Sequence, residues 1–236
     1  MISFIVPAHN EEQHIGGTLR AIRAAAQAAG ESYEVIVVDD ASSDRTAELA
    51  GAAGARVERV DYRQISRTRN AGARIASGDR LVFVDADTLV SLQVLRAALA
   101  ALDRGAVAGG ATLRMDGHVP LYVRGLVIAT AAVMRRRNWF AGCFVFCTRA
   151  AFETVGGFDE TLFASEEIAL SKSFQRIGRV VLLDEEVVTS GRKARSHSAW
   201  HLLRLLAAFI VRGHAILRTR EHLGLWYGER RKDPRR

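Results

Sequence analysis

The sequence of 236 residues contains only two cysteines and three prolines. So few cysteines exclude the disulfide framework of a small secreted scaffold. Cys143 and Cys147 lie in one apolar run typical of a strand, where both would share a face about 13 Å apart, beyond the roughly 7 Å at which a disulfide forms. We therefore expect two buried free thiols in a reducing compartment, and no cysteine metal site, because no further ligand lies near them.

The sequence also lacks an apolar run of the roughly 20 residues that a membrane-spanning helix needs. Residues 125–134 and 202–217 are apolar but shorter, and arginines flank or interrupt them. Each could lie in a membrane interface as a basic helix. Met1 leads directly into an apolar strand without a basic leader, which predicts a cytoplasmic protein, with peripheral contact to the cytoplasmic face of a membrane left open.

The net charge is +7, and part of it lies in a basic tail at residues 218–236. Such a tail is usually solvated, while attraction to anionic lipid is the next interpretation. Nucleic acid ranks last because stacking aromatic side chains do not alternate with the charges, so we expect no nucleic-acid partner. The chain is 49% hydrophobic and 25% charged, which indicates a folded globular protein.

Short apolar runs alternate with helical patterns through the first hundred residues, which indicates βαβ units and a mostly parallel central sheet flanked by helices. The predicted strands are 2–6, 33–38, 56–60 and 80–84. We expect Asn10 to cap the first helix, and Ser42 or Ser43 to cap the second.

The second half has a looser pattern. It predicts strands at 106–115 and 141–148 and helices at 120–134, from 149 and at 165–176. We divide the chain into 1–104, 105–197 and 198–236, the last being an amphipathic helix with the basic tail. The whole is expected to be one α/β domain with a smaller C-terminal region.

The run Asp85-Ala86-Asp87 follows the strand predicted at 80–84. Carboxylates at i and i+2 leave a strand on the same side, roughly 7 Å apart at their backbones. A hard divalent cation, held by one or two carboxylates and by substrate phosphates, relieves their repulsion. An isolated Asp-x-Asp is usually a surface turn. Its place at the carboxyl end of a parallel strand, where α/β sheets bind ligands, favours a metal site.

Polar residues also follow the first and second strands. In Asp39-Asp40 one carboxylate can accept hydrogen bonds from a base or ribose, and Glu11 reaches the same edge, although a plain strand-to-helix turn is the alternative. Arg69, on the next helix, could bind a phosphate in bidentate fashion or lie on a solvated helix face. Gly72 would then permit close packing rather than cradle a phosphate.

Four motifs occur in order: Pro7-x-x-Asn10-Glu11, Val38-Asp39-Asp40-x-Ser42-x-Asp44, Arg69-Asn70-x-Gly72 and Asp85-Ala86-Asp87. In order and spacing they resemble the family 2 glycosyltransferases of GT-A fold. The resemblance continues through Gly142, Gly156-Gly157-Phe158-Asp159-Glu160 and Glu166-Glu167. Each motif is weak alone, but the ordered set is specific.

The resemblance implies a Rossmann-like GT-A sheet, a UDP- or GDP-sugar donor, and a manganese or magnesium ion as cofactor. The residues that it implies on the donor side are Pro7, Ala8, Glu11, Asp40, Asp85, Ala86 and Asp87. The first three would line the nucleoside, and Asp40 would read the base or ribose. Asp87 would be the main metal ligand, and Asp85 would contact the sugar, the ribose or the metal.

On the acceptor side, the resemblance implies direct displacement with inversion. The family uses the second residue of a Glu-Asp pair as the base, and here the pair reads Glu166-Glu167. Glu167 is one methylene longer than aspartate, yet a carboxylate within reach of the acceptor hydroxyl can act as base. Glu166 equally suits an acidic first turn that stabilises a helix dipole. Gly142 and Cys143 correspond to the stretch that lines the acceptor cleft, for a glycan, a lipid-linked or a small-molecule acceptor.

Several features leave alternatives open. Arg192 belongs to a basic stretch that could fold over a diphosphate or form a surface loop. His197 and His201 are spaced four apart and could face one metal from a helix, but neither lies in a metalloprotease motif with its glutamate, and Trp200 beside them favours packing. A nucleotidyltransferase is disfavoured because the turn after the first strand is acidic and lacks glycine. A further alternative is a basic module that docks on membranes or nucleic acid and has lost catalysis. Its support is the glutamate at position 167, where the family has aspartate.

Overall fold

The computed structural model describes residues 1–117 and 120–192. The strands are β1 (Ile2–Ala8), β2 (Tyr33–Asp40), β3 (Arg56–Val60), β4 (Arg80–Val84), β5 (Thr88–Leu89), β6 (Ala106–Met115), β7 (Phe144–Thr148) and β8 (Arg179–Thr189). The helices are α1 (Ile15–Ala29), α2 (Thr46–Ala52), α3 (Ile65–Ile75), α4 (Leu92–Asp103), α5 (Leu121–Arg137), α6 (Arg149–Val155) and α7 (Glu166–Ile177). The predicted strands are all present, and β5, α4 and β8 are additional.

The strands form one sheet in the order β3-β2-β1-β4-β7-β6-β8-β5. The pairs β1–β2, β1–β4, β2–β3 and β6–β8 are parallel, whereas β7 runs antiparallel between β4 and β6, and β5 is antiparallel to β8. The predicted α/β class with a mostly parallel, helix-flanked sheet is confirmed. Because β7 joins β4 to β6, residues 1–104 and the described part of 105–197 share one continuous sheet.

The order of the parallel strands reverses at β1, which lies between β2 and β4. In open α/β sheets such a reversal opens a crevice at the carboxyl ends of the strands, where ligands bind. The carboxyl ends of β1, β2 and β4 carry the residues that the sequence singled out. The topology therefore gathers three separate motifs at one edge.

Helices cover both faces of the sheet. Side chains of α1, α2 and α4 pack into one hydrophobic cluster, and those of α3, α6 and α7 pack into a second cluster on the other face. Gly72 lies where α3 approaches the sheet, and a Cβ there would overlap the side chains of Ile5 and Val38. The packing role predicted for Gly72 is confirmed.

The predicted helix caps are wrong. Helix α1 begins at Ile15, four residues later than a cap at Asn10 requires. Asn10 instead has a positive φ of 52°, and its Oδ1 accepts a hydrogen bond from the backbone N–H of Ser43 (2.8 Å). The Ser42 hydroxyl accepts from the backbone N–H of Asn10 (2.9 Å), and α2 begins only at Thr46. These side chains tie the loops after β1 and β2 to each other because both loops leave adjacent parallel strands.

Both cysteines are free and buried, as predicted. They do not share a face, however. Strand β7 begins at Phe144, so Cys143 precedes it and packs in the first cluster, whereas Cys147 packs in the second. The alternation of a strand did not apply to Cys143 because that residue lies outside the strand.

Within the two described ranges, no helix is long and apolar enough to cross a membrane. The apolar stretch 125–134 belongs to α5, whose hydrophobic periodicity does not define one apolar face. The stretch 202–217, the basic tail and the histidines at 197 and 201 lie outside the described residues.

Candidate functional site

The candidate site lies at the carboxyl ends of β1, β2 and β4. Pro7 and Ala8 end β1 and are buried, and the chain then turns at Asn10 toward Glu11. His9 Nδ1 lies 2.6 Å from the backbone oxygen of Asp40, which links the ends of β1 and β2. This first loop therefore borders the crevice with buried, conformationally fixed residues.

Asp85-Ala86-Asp87 continues directly from β4. The backbone N–H of Asp85 donates to the Cys143 carbonyl (3.2 Å), and the Ala86 carbonyl accepts from the Thr18 hydroxyl (2.8 Å). The Asp85 side chain is 29% exposed and that of Asp87 is 13% exposed. Both carboxylates thus sit on a fixed backbone, and both retain partial access from the crevice.

Arg69 lies at the centre of the site and is 1% exposed. Its Nη2 donates to Asp85 Oδ1 (3.0 Å) and to the Gly142 carbonyl (2.9 Å), while its Nη1 donates to Glu166 Oε1 (2.9 Å). Glu167 Oε1 is 3.8 Å from Nη1. Both terminal nitrogens serve protein acceptors in the interior, so the alternative that Arg69 faces solvent is wrong, and its contact with a donor phosphate stays a prediction. We call this arrangement the Arg69 hub.

The hub concentrates three carboxylates on one guanidinium. Burial raises the pKa of Glu166 above its usual range, to about 8, and the negative charge of Glu167 adds to this rise, which Arg69 opposes only in part. Burial alone would lower the pKa of Arg69, but the charges of Asp85 and Glu166 raise it overall. Arg69 therefore stays cationic, and burial in the hub makes Glu166 easier to protonate than an exposed glutamate.

Glu166 and Glu167 open α7 but have different surroundings. The Glu166 side chain is 3% exposed, whereas that of Glu167 is 22% exposed. Ser165, just before them, has a positive φ of 60°, which turns the chain sharply into the helix. Glu166 thus points into the hub, and Glu167 retains contact with the crevice.

Gly142 lies against Glu167. A Cβ at Gly142 would overlap the Glu167 carboxylate, so only glycine lets the two segments approach so closely. Cys143 is buried, and burial together with the charges of Asp85 and Asp87 raises the pKa of its thiol far above the usual range. Cys143 contributes its backbone carbonyl to the site, and its neutral thiol belongs to the core.

Asp40 does not face the crevice. Its carboxylate accepts from the backbone N–H groups of Tyr62 (2.7 Å), Arg63 (2.7 Å) and Gln64 (3.1 Å) and from the Thr68 hydroxyl (2.8 Å). These contacts do not favour the prediction that Asp40 reads the base or ribose, because α3 and the loop before it use both of its oxygens. Asp40 fixes that loop instead.

Asp39 is also buried, but within the described part of the chain one of its carboxylate oxygens lacks the protein partners that Asp40 has. It is 4% exposed, and its Oδ1 is buried with no hydrogen-bond partner among the described residues. Successive side chains of β2 point to opposite faces, so Asp39 faces α2 while Asp40 faces α3. Asp39 borders a cavity of about 460 Å³ that Ser42 and Arg59 also line. Both aspartates belong to the motif that the sequence analysis singled out. Their surroundings differ because their side chains project from opposite faces of β2.

Glu11 and Arg192 form a buried ion pair. Arg192 Nη2 lies 2.9 Å from Oε1 and 3.1 Å from Oε2 of Glu11, and also 4.0 Å from Asp87 Oδ2. The Oδ1 atom of Asp87 accepts a hydrogen bond from the Thr189 hydroxyl (3.4 Å). Arg192 therefore lies over the carboxylates of the crevice, between the loop after β1 and the end of β4.

Asp85 and Asp87 are the residues that could hold a divalent metal. Across residues 1–117 and 120–192, no group of three or more His, Cys, Asp or Glu side chains forms a complete metal site. Two carboxylates at a crevice fit an ion such as magnesium, which commonly takes one or two carboxylates and completes its shell with substrate phosphates and water. The residues thus fit a metal that binds together with a phosphorylated ligand.

Known proteins resemble the chain in sequence and in structure. It is 33% identical, over 123 residues, to the undecaprenyl-phosphate 4-deoxy-4-formamido-L-arabinose transferase of Edwardsiella ictaluri, which covers 49% of this chain and 37% of that protein. The match covers only 37% of that relative's length, and a match to the validoxylamine A glucosyltransferase of Streptomyces hygroscopicus subsp. limoneus covers 23% of its length.

Two solved structures share the fold. The mannosyltransferase PcManGT from Pyrobaculum calidifontis, in complex with GDP-Man and Mn²⁺, gives a TM-score of 0.70 at 22% identity, covering 90% of this chain and 62% of that one. The glucosyl-3-phosphoglycerate synthase of Mycobacterium tuberculosis, in complex with Mn²⁺, UDP and glucosyl-3-phosphoglycerate, gives 0.65 at 20% identity, covering 98% and 81%.

The sequence model of glycosyl transferase family 2 matches residues 3–156, which is more than half of the chain. The matched range contains β1, β2 and β4 with the polar residues at their carboxyl ends. The fold is the GT-A fold of the structural relatives. The chain therefore belongs to glycosyl transferase family 2.

Proposed function

We propose that the chain transfers a glycosyl unit from a nucleotide-diphosphate sugar to a hydroxyl group of an acceptor. The Arg69 hub is the observation that carries this proposal. It joins Asp85, at the candidate metal site, to Glu166, directly beside the candidate base Glu167. The buried guanidinium of Arg69 thus binds one carboxylate at the candidate metal site and one beside the candidate base. It fixes the two sides of the site relative to each other.

The donor nucleoside would lie over Pro7 and Ala8, at the end of β1. We assign recognition of its base to Asp39 in place of Asp40, because Asp39 Oδ1 is buried without a partner beside the cavity. A carboxylate oxygen accepts hydrogen bonds only, so it suits the ring N–H of uracil or guanine, which cytosine and adenine lack. Two structural relatives were solved with UDP and GDP-Man, which agrees with this choice.

The donor diphosphate would lie between Asp87 and Arg192. Asp87 would be the main metal ligand and Asp85 the second, with Ala86 as the spacer that directs both to one side. Manganese or magnesium, when bound there, would neutralise the charge that develops on the leaving diphosphate. Arg192, 4.0 Å from Asp87, is near enough to pair with the same phosphates when it leaves Glu11.

Glu167 would act as the base. It takes the proton of the acceptor hydroxyl while that oxygen forms a bond to the anomeric carbon of the sugar. The bond from the anomeric carbon to the diphosphate oxygen breaks in the same displacement, so the nucleoside diphosphate leaves and the configuration inverts. Glu166 and Arg69 act as positioning residues, and Gly142 leaves the space that Glu167 occupies.

The acceptor would enter on the side of Gly142 and Cys143. A glycan, a lipid-linked molecule or a small molecule could each supply the hydroxyl group. We favour a lipid-linked acceptor, with a peripheral contact between the protein and a membrane. The name of the Edwardsiella relative includes undecaprenyl-phosphate, and α5, near the acceptor side, exposes large apolar side chains.

A nucleotide screen tests the donor site. UDP, GDP and their sugars are added with and without Mn²⁺, and the melting temperature and calorimetric affinity are measured. We expect UDP or GDP to stabilise the protein more strongly with Mn²⁺, and Asp87→Ala to abolish the metal-dependent part. Asp79→Ala, in a side chain 88% exposed, is the matched control. If no nucleotide raises the melting temperature under any metal condition, the proposal fails.

A second variant tests the base. Glu167→Gln is expected to keep donor affinity within about twofold and to lower turnover by roughly 10²- to 10⁴-fold. Glu153→Gln, in a side chain 65% exposed, removes the same charge from α6 and should leave turnover unchanged. Near-normal turnover in Glu167→Gln, with an identified acceptor, would assign the base to another residue.

A further inference from the structure

Helix α5 exposes large apolar side chains. Tyr122 is 50% exposed, Ile128 is 68% exposed and Val133 is 54% exposed. Six large hydrophobic side chains are exposed in the described part of the chain, and half of them lie on this one helix. None of the α5 side chains that the structure describes is buried. The exposed apolar surface is therefore concentrated on α5.

The sequence of α5 explains why this surface is unusual. Residues 125–134 contain one polar side chain, that of Thr130. An ordinary surface helix has a polar face toward water, whereas a helix that is apolar around its circumference is covered by another apolar phase or by protein. With 17 residues, α5 is too short to span a bilayer but long enough to lie along one.

The charges on α5 indicate what covers it. The helix contains no Asp or Glu, and Arg135, Arg136 and Arg137 form its exposed C-terminal turn. Arg135 pairs with Asp184 (2.6 Å), and the other two extend the positive surface. A partner for α5 must accordingly be both apolar and negatively charged. An anionic phospholipid interface has this combination of properties.

An aromatic side chain lies beside these charges. The Trp139 ring has Arg137 5.6 Å and Lys172 4.9 Å from its centroid. Tryptophan is enriched at membrane interfaces because its ring is apolar and its N–H is polar. Trp139 therefore extends the same surface to the first residues after the helix.

This surface is connected to the candidate base. Gln175 of α7 donates to the backbone oxygens of Arg137 (2.7 Å) and Asn138 (3.0 Å). The backbone N–H of Phe140 donates to the Ser171 hydroxyl (3.2 Å), which donates to the Glu167 carbonyl (2.8 Å). The end of α5 is thus fixed to the helix that carries Glu167.

We propose that α5 lies in the interface of an anionic membrane and holds the acceptor side of the site, at Gly142 and Glu167, toward that membrane. The docking surface consists of Tyr122, Ile128, Val133, the arginines at 135–137 and Trp139. Delivery of a lipid-linked acceptor to the site rests on the proposed function, whereas docking itself requires neither donor nor catalysis. The partner is a lipid surface, and the arginines supply its electrostatic attraction.

Vesicle sedimentation of the full chain tests this surface. The probes are vesicles of phosphatidylcholine alone and vesicles in which roughly one third is phosphatidylglycerol. Wild type should bind the anionic vesicles, and high salt should weaken binding. Removing three arginines in Arg135→Gln/Arg136→Gln/Arg137→Gln should lower partitioning by roughly 100-fold. The control variant Arg20→Gln/Arg96→Gln/Arg104→Gln also removes three exposed arginines, one in α1, one in α4 and one at the C-cap of α4. It should bind the anionic vesicles at least tenfold more tightly than the 135–137 variant.

The apolar contribution is tested separately. Ile128→Gln/Val133→Gln should lower partitioning at least tenfold, whereas Ile177→Gln, a side chain 41% exposed on α7, should not. A polarity-sensitive dye on Ile128→Cys should shift to shorter wavelength when anionic vesicles are added, and the two native cysteines are buried from the reagent.

Three results would overturn the proposal. Wild type could fail to bind anionic vesicles, or the α5 variants could bind as well as wild type. The dye at position 128 could report an apolar environment in free protein, which would assign the cover to residues 193–236 or to a second copy. Analytical ultracentrifugation distinguishes these two covers. A wild-type dimer that becomes monomeric in Ile128→Gln/Val133→Gln would identify a second copy as the cover. Asp87→Ala should bind vesicles like wild type, so failure of docking and failure of the donor site are distinguishable.

Discussion

Arg192 binds Glu11 across 181 positions of the sequence, with its Nη2 atom 2.9 and 3.1 Å from the two carboxylate oxygens. Both side chains are almost completely buried. The pair joins the segment after β8 to the loop after β1, so the end of the described chain crosses the candidate donor crevice. Its guanidinium also reaches to 4.0 Å from Asp87.

We expect Arg192→Gln to lower the free energy of unfolding by about 3 kcal/mol, because it removes the cation from a buried carboxylate. Urea denaturation measures the change. Arg45→Gln is the control, since its ion pair with Glu48 is exposed and exposed ion pairs contribute little to stability. The double variant Glu11→Gln/Arg192→Gln should recover part of the loss. Equal effects of Arg192→Gln and Arg45→Gln would show that the buried pair does not stabilise the fold.

Asp40 and Asp39 should respond differently to the same chemical change. Asp40→Asn replaces a carboxylate that accepts three backbone N–H groups and a hydroxyl, so we expect a loss of about 2 kcal/mol in the free energy of unfolding. The measurement is urea denaturation in the absence of nucleotide.

Asp39→Asn should change the unfolding free energy by less than about 1 kcal/mol, because Oδ1 of Asp39 has no partner within the described residues. It should weaken UDP or GDP binding at least tenfold in calorimetry. CDP and ADP should already bind wild type more weakly, because their bases lack the ring N–H. If Asp40→Asn lowered nucleotide affinity and Asp39→Asn did not, our assignment of the base-reading residue would be reversed.

Gly142→Ala is expected to lower turnover roughly 10- to 100-fold, because the new Cβ would displace the Glu167 carboxylate. The backbone of Gly142 lies outside the left-handed region, so the substitution introduces a clash but no backbone strain. Steady-state kinetics should show the loss mainly in kcat. Gly125→Ala is the matched control. Nothing lies within 4 Å of its Cβ, and alanine should stabilise α5 by about 0.5–1 kcal/mol.

The stability of the protein should depend on pH through Glu166. Burial raises the pKa of this group from 4.5 to about 8 in the folded state. Between these values the folded protein retains a proton that the unfolded chain has lost, so the free energy of unfolding falls as pH rises. One such group contributes a slope of up to about 1.4 kcal/mol per pH unit.

Glu166→Gln removes this titration and keeps an oxygen that can accept from Arg69. Urea denaturation at several values between pH 5 and pH 8 should therefore give a flatter dependence in the variant than in wild type. Below the unfolded pKa both states are protonated, and the two proteins should show parallel curves. An unchanged slope in the variant would mean that Glu166 is ionised throughout this range.

Parts of the site followed directly from local sequence. Asp85-Ala86-Asp87 was expected at a strand end, and β4 does end at Val84. Gly72 was expected to serve packing, and it lies against Ile5 and Val38. Strand β8 was not expected, because its run Asp184-Glu185-Glu186 interrupts the apolar pattern. In the structure its register against β6 shifts there, between Leu183 and Glu186, so the acidic residues lie at an irregularity of the strand.

Other parts depended on contacts that local patterns do not encode. Arg69 was expected to reach a phosphate, yet its partners Asp85, Gly142 and Glu166 come from segments 16, 73 and 97 positions away. Sequence spacing describes neighbours along a helix or strand, and it carries no information on which distant acceptors a buried guanidinium meets. An arginine that precedes several acidic motifs was the available signal, but the sequence does not show whether its partner is a phosphate or a carboxylate.

The sequence by itself determined the α/β class, the alternation of strands and helices, and the set of motifs at the strand ends, because the periodicity of buried side chains is a local property. Only the tertiary structure decided that Asp40 is enclosed by α3 while Asp39 borders the cavity, that Arg69 joins the two sides of the crevice, and that Arg192 closes over Glu11. Each of these roles depends on the desolvation of a charge and on partners from remote segments, and both arise only when the chain is folded.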